Sequence, residues 1–218
     1  MKLNVYVDGF NLYYGSLYRT GFKWLNPHAF CQATFPADQI NRIRYFTARV
    51  KARPNDPDQP VRQDTLFRAM RTLPNLTIHE GSYIEKPVTL PLHPIPALPA
   101  KPTFVTVVRS EEKGSDVNLA SYLLVDAFDD DFEGAVVISN DSDLAEPIRL
   151  VRHRFKKRVM ILFPCSRPGR SPSIELRKAV GLRGGKKPLI VDPALLAANQ
   201  FPATLTDAVG SFTKPLSW

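Results

Sequence analysis

Apolar residues in this chain fall into short runs divided by polar or proline-rich stretches, and most runs have strand rather than helix length. Leu3-Asn4-Val5-Tyr6-Val7 predicts a first strand, closed at once by Asp8-Gly9-Phe10-Asn11. Residues 11–18 then carry Leu12, Leu17 and the tyrosines in a helical pattern. Residues 20–38 show no clear period and hold Pro27 and Pro36, so a loop with a short helical turn is expected. A second strand is predicted over 43–50. The three prolines of 53–60 exclude both a ladder and a helix interior, and make that segment a loop. Leu66, Met70 and Leu73 at helical spacing predict a helix over 61–73, ended by Pro74-Asn75. A third strand is predicted over 76–85. Between Pro87 and Pro102 there are six prolines in sixteen residues, too many for a central strand or a helix. We read 86–103 as an inserted arm or long hairpin loop, either a substrate-contacting flap or an insertion packed on the surface or at a homodimer contact.

The second half repeats the alternation more clearly. After a β-rich run over 104–108, Leu119, Ala120, Leu123, Leu124, Ala127 and Phe128 recur at three and four and predict a helix over 117–128. Ala135-Val136-Val137-Ile138 reads as a strand buried on both faces. A helix over 144–155, a buried strand over 159–163, a short strand Leu189-Ile190-Val191, a helical stretch from Ala194 and an irregular tail complete the reading. Strands alternating with helices define an α/β fold, a Rossmann-like, mainly parallel sheet flanked by helices with a Pro-rich inserted arm. We expect one domain over 1–218, with 188–218 as a C-terminal extension packed on it.

In such sheets ligands bind beyond the carboxyl ends of the strands, where strand order reverses. Asp8 closes one strand. Asp141 and Asp143 close another through Ser139-Asn140-Asp141-Ser142-Asp143, and Asp116 opens the helix after Lys113-Gly114-Ser115. Each of these acids, taken singly, is explained as a helix cap. If the two strands are neighbours, three separated segments deliver four carboxylates to one crevice, where like charges repel unless a proton or cation intervenes. An all-oxygen donor set suits Mg²⁺ or Mn²⁺. Asn11, in the first turn after Asp8, is placed to cap that helix or to reach a metal-bound water. The run Asp129-Asp130-Asp131-Phe132-Glu133 reads instead as a solvated turn, because consecutive carboxylates in a loop point in different directions.

Composition sharpens the choice of partner. The chain has 218 residues, 44% hydrophobic and 23% charged, which is globular rather than disordered. A net charge of +8 points to a polyanion. Residues 149–187 hold thirteen Lys or Arg against the single acid Glu175, a clustering that resembles an electrostatic footprint. Arg167-Pro168-Gly169-Arg170-Ser171-Pro172 is a basic loop beside a strand end. Gly181-Leu182-Arg183-Gly184-Gly185-Lys186-Lys187 has the wrong glycine spacing for a P-loop. Cys31 and Cys165 are too few for a disulfide framework and lack metal-ligand spacing. Neither a signal peptide nor a membrane span stands out, so a cytoplasmic location with no membrane partner is expected.

Asp8-Gly9-Phe10-Asn11, Lys113-Gly114-Ser115-Asp116 and Ser139-Asn140-Asp141-Ser142-Asp143-Leu144 resemble, in order and spacing, the three signature blocks of the NYN domains, PIN-like ribonucleases. Asn199-Gln200-Phe201-Pro202 and Lys214-Pro215-Leu216-Ser217-Trp218 resemble the C-terminal signature of bacterial, LabA-like members. The commoner family form has Gly at Asn140 and Phe at Leu144, and the Pro-rich arm lies outside the pattern. The resemblance implies a PIN-like fold and a metal-dependent endoribonuclease, a hydrolase of RNA phosphodiester bonds. Asp8, Asp116, Asp141 and Asp143 would be catalytic and hold Mg²⁺ or Mn²⁺, which lowers the pKa of an attacking water. Asn11 and Ser139 would position water or ligands, and Lys113 would touch the substrate phosphate. Basic residues of 149–187, among them Arg149, Arg152, Arg167 and Arg170, would hold the RNA backbone, with DNA not excluded. Phe10, Tyr13 and Tyr14 are open to two readings, core packing, which is commoner, or base stacking. The rival to an enzyme is an inactive RNA-binding adaptor. A haloacid-type phosphatase would need an acid at Phe10, and a dinucleotide-binding oxidoreductase a Gly-x-Gly-x-x-Gly after the first strand.

Overall fold

Strand β1 (Lys2–Asp8) is almost wholly buried because it lies in the middle of the sheet, with apolar side chains sent alternately to both faces. In the computed structural model, which describes residues 1–182 and 186–218, β1 pairs in parallel with β2 (Gln39–Ala48) on one side and β5 (Gly134–Ile138) on the other. Outward from β2 come β3 (Leu76–Pro91) and β4 (Phe104–Lys113), and outward from β5 come β6 (Arg158–Phe163) and β7 (Leu189–Ile190). Every pairing in this seven-stranded sheet is parallel except β3 with β4. The chain steps outward through β2 and β3 and then returns to place β5 on the other flank of β1, so strand order reverses at the β1/β5 junction. That junction is where such a sheet opens a crevice.

Leu3, Val5 and Val7 face one core with Trp24, Phe30 and Phe67, supplied by α2 (Pro27–Thr34) and α3 (Gln59–Met70) and the turns around them. Tyr6, Ala135 and Val137 face the other core with Leu119, Leu123 and Ile148, supplied by α4 (Ser115–Phe128) and α5 (Ala145–Arg154). A buried polar network ties the second core together. Arg44 on β2 makes two 2.7 Å bonds to Asp126 on α4, and Asp126 accepts a third, at 2.7 Å, from the Tyr6 hydroxyl.

Several boundaries differ from the sequence reading. The segment 20–38 contains the two-turn helix α2, because Asn26 accepts a hydrogen bond from the Ala29 N–H and Pro27 fits the first helical position. Strand β3 does not stop at Glu85. After Gly81 it leaves β2, and from Ser82 to Pro91 it pairs with β4 in a two-stranded ribbon, so Pro87 and Pro91 sit where only one neighbour needs a ladder bond. The Pro-rich arm is thus largely this hairpin and its tip. A short helix, α6 (Ile174–Ala179), capped by Ser173, went unpredicted. The tail is not irregular. After α7 (Pro193–Ala198) it forms a hairpin of β8 (Thr204–Asp207) and β9 (Gly210–Thr213). It docks through Trp24, whose indole N–H donates to the Pro202 carbonyl at 2.9 Å, and through Arg68, which pairs with Asp207 at 2.7 Å. The glycine-rich run 181–187 lies partly outside the described residues.

Candidate acidic site at the junction of β1 and β5

Asp8 is the last residue of β1 and caps the short helix α1 (Gly9–Leu12). Its Oδ1 accepts from the Asn11 backbone N–H at 2.9 Å, and its Oδ2 accepts from the Asn11 side chain at 2.6 Å and from Ser139 Oγ at 2.9 Å. Ser139 directly follows β5, whose Ile138 is the register partner of Val7, so the hydroxyl closes the gap between the two strand ends. The same Ser139 Oγ accepts from the Asp141 N–H at 3.0 Å, and Asp141 Oδ1 accepts from the Asp143 N–H at 3.0 Å. Asp141 thereby caps a single 3₁₀ turn, Ser142–Leu144, that leads into α5. Capping and convergence are the same geometry here, because helix N-termini at strand ends bring their caps to the rim.

Gly9 is required by a close approach. A Cβ there would lie 2.7 Å from Tyr45 Cε1 and 2.9 Å from the Phe46 carbonyl oxygen, so no larger residue fits beneath Asp8. Past Leu12 the helix widens into one π-helical turn, Tyr13–Leu17. Such turns occur often at functional sites.

Asp116 arrives from the opposite direction. Strand β4 runs into Gly114, whose φ of 102° starts α4 with Asp116 in its first turn. Burial, followed by the charges of Asp8, Asp141, Glu112 and Asp143, pushes the Asp116 carboxyl up to about 6. The Asp8 carboxyl is also raised, chiefly by burial and further by Asp141, against the opposing effect of its bonds from Asn11 and Ser139. The four aspartates therefore share one electrostatic environment. No Lys or Arg forms an ion pair with any of them among the described residues. Also among the described residues, no three His, Cys, Asp or Glu side chains stand close enough to enclose a metal as they are. The donors that the rim does offer are oxygens alone, the chemistry that suits a hard divalent cation.

Glu112 went unnoticed in the sequence. It accepts from the Ser115 N–H at 3.1 Å and the Ser115 hydroxyl at 2.6 Å, fixing the turn that aims Asp116 while adding a fifth negative charge. Asn140, where the commoner family form has Gly, gains a role that the sequence did not reveal. Its Nδ2 donates to the Ser171 carbonyl at 3.1 Å and its Oδ1 accepts from the Ser173 N–H at 2.7 Å, which ties the basic loop after β6 to the acidic rim. A glycine there could make neither bond, and neither contact leaves a signal in local sequence.

The basic residues divide. Arg167 donates to the Tyr14 carbonyl at 2.8 Å and lies over the Tyr18 ring, while Arg170 on the same loop is exposed and free of ion pairs among the described residues. Lys113 pairs with Glu111 at 2.8 Å. Arg149 is held by Glu146 at 2.7 Å, with Glu175 at 3.7 Å. Arg152 donates to the Ala179 carbonyl and lines a basic cavity of about 580 Å³ with Lys156, Arg158 and Lys186, beside the start of β6 and so at the opposite end of the sheet from Asp141. Among the described residues of the run 149–187, Arg152, Lys156, Arg158 and Lys186 thus line the far end of the sheet, whereas the loop after β6 is tied to Asn140, next to Asp141.

A mainly parallel sheet with acids gathered at its reversal point is a PIN-like arrangement. The sequence profile of the NYN domain matches residues 2–181, and the chain belongs to that nuclease-like family. A relative named 6-hydroxy-3-succinoylpyridine 3-monooxygenase, from Pseudomonas putida, is 27% identical over 241 residues, spanning 100% of this chain and 75% of its own. A crystal structure of a protein of unknown function from Vibrio parahaemolyticus is similar in fold, with a TM-score of 0.55 and 16% identity, over 88% of this chain and 93% of that one. No described helix is long and apolar enough to cross a membrane.

Proposed function

We propose that the chain is a metal-dependent endoribonuclease that hydrolyses RNA phosphodiester bonds at the β1/β5 rim. The observation that carries this reading is geometric: β1 and β5 end side by side, Ser139 Oγ bridges Asp8 at 2.9 Å and the Asp141 N–H at 3.0 Å, and α4 opens with Asp116 close enough to feel the charges of both, so acids from three separate segments meet at one rim. Asp8, Asp116, Asp141 and Asp143 are the residues that would hold Mg²⁺ or Mn²⁺, which when bound offsets phosphate charge and makes water a stronger acid. Asn11 and Ser139 keep Asp8 in one rotamer, and Asp141 stays oriented through its bond from the Asp143 N–H. Arg170 and Arg167 on the adjoining loop attract the polyanionic backbone toward the rim. The sugar is not distinguished by these charges, so DNA is tested beside RNA.

Purified Asp141→Asn protein is expected to lose divalent-dependent cleavage of single-stranded RNA, by at least a hundredfold, while filter binding of the RNA stays within threefold. Equal cleavage by variant and parent would remove the assignment. Binding with no cleavage by either protein, in Mg²⁺ and in Mn²⁺, favours the adaptor reading instead. The whole-chain match to a relative named as a pyridine monooxygenase supports a second reading, oxygenation of a hydroxypyridine. Product formation from 6-hydroxy-3-succinoylpyridine with O₂ and a two-electron donor tests it directly.

A further inference from the structure

Beside Asp8, on the face of the sheet covered by α3, lies a small cavity of about 130 Å³ lined by Phe10, Tyr13, Tyr45, Phe67 and Trp218. It is smaller than the roughly 300–1,000 Å³ of drug-sized pockets and has room for about one ring. Its walls are aromatic faces and edges. Tyr45 is only 6% exposed, and its hydroxyl makes no hydrogen bond among the described residues, so it is free to take a partner in the cavity it lines. Its mouth carries Lys23, free of ion pairs among the described residues, and Arg62, which is held by Asp56 at 2.5 Å. The cavity and the acidic rim share a wall. Gly9 lines the cavity, follows Asp8 directly, and lies against the Tyr45 ring. The Asp8 charge reaches the Tyr45 hydroxyl, whose pKa is raised by burial first and by Asp8 second.

We propose that this cavity receives a single planar heteroaromatic ring, the base of an unpaired nucleotide whose phosphate lies at the acidic rim. The assignment rests on the nuclease reading and adds the substrate class, single-stranded rather than duplex nucleic acid. Stacking against Phe10 and Tyr13, over a floor closed by the buried Phe67, requires a base that has left its own stack, and unpaired positions meet that demand most readily. The Tyr45 hydroxyl then finds a partner on the base edge, and Lys23 faces the neighbouring phosphate. Room for about one ring favours the single ring of a pyrimidine over the two of a purine, and one polar contact adds little further selection.

The test keeps binding apart from cleavage. In EDTA, the full chain is titrated with nucleosides, nucleoside 5′-monophosphates, duplex RNA and a free hydroxypyridine, with binding followed by saturation-transfer NMR. Nucleosides and monophosphates are expected to bind one to one. Tyr13→Leu should weaken both at least tenfold, and Tyr45→Phe, which removes only the hydroxyl, about threefold. Lys23→Gln should weaken monophosphates and leave nucleosides unchanged. Unchanged affinities in the Tyr13 and Tyr45 variants, or preferential binding of duplex, overturn the proposal. Hydroxypyridine binding that both variants weaken, without nucleotide binding, reassigns the ring to a free small molecule. If Asp141→Asn still cleaves while these pocket effects hold, the acidic-site reading fails and the pocket stands. If cleavage needs Asp141 but nucleotides ignore the variants, the reverse follows.

Discussion

Asp116 is half-buried beside like charges, and its carboxyl, ordinarily near 3.8, is pushed up to about 6. A carboxyl raised in the folded state binds more protons there than in the unfolded chain. Its contribution to stability is fully present below the ordinary value and is lost as pH rises through about 6. Asp8, also raised, acts in the same direction. In chelator, the unfolding midpoint should therefore fall between about pH 4 and pH 6.5, and Asp116→Asn should flatten that fall. Discounted for solvent screening at a half-exposed group, the gain at pH 7.5 is on the order of 1–2 kcal/mol. Adding Mn²⁺ should raise the midpoint of the parent more than that of the variant. A pH profile identical in the two proteins would mean that Asp116 feels no such field. The acids themselves were legible because Asp8 follows an apolar run directly and Asp141 follows one after only Ser139 and Asn140. The contacts that orient them were not, since Ser139 meets Asp8, and Asn140 meets Ser173, only after β1, β5 and the loop past β6 are assembled.

At the scale of elements, the strands next to β1 were readable from their short apolar runs, whereas the arm was not. Proline counts argued against a strand, and only pairing with β4 away from the main sheet makes one possible. Strand β4 also has a positional role, because it delivers Gly114 and Asp116 to the rim where β1 and β5 end. Helix α4 is held against the sheet by the Arg44–Asp126 pair as well as by Leu119 and Leu123. Asp126→Ala would leave the buried guanidinium unpaired and is expected to cost about 3–5 kcal/mol. Chemical denaturation measures this. A loss under 1 kcal/mol would show that Arg44 finds another partner or solvent. No pattern in the sequence marks this pair, since Arg44 sits in a strand and Asp126 on a helix face that read as apolar.

For the molecule as a whole, the charge of +8 is unevenly deployed. Among the described residues of the basic run 149–187, several are paired within the fold or line the far end of the sheet, and the loop carrying Arg167 and Arg170 is tied to Asn140, next to Asp141. Affinity for single-stranded RNA should fall steeply with salt, and Arg170→Ala should lower the log–log slope by about 0.7 if one phosphate contact is lost. The same measurement on Arg152→Ala should leave the slope unchanged. Linear order alone made these residues look like one footprint, because it does not say which end of a strand or helix faces which rim.

The three donors on Asp8 give its carboxylate a fixed heading before any ion arrives. Asp143, exposed on a one-turn element, accepts no hydrogen bond among the described residues and keeps its rotamer freedom. On the proposed reading, a cation would meet one anchored post and one swinging arm. The loss of side-chain motion on closing the shell falls on Asp143, so thinning the donors around Asp8 should make the whole rim slower to close rather than merely weaker.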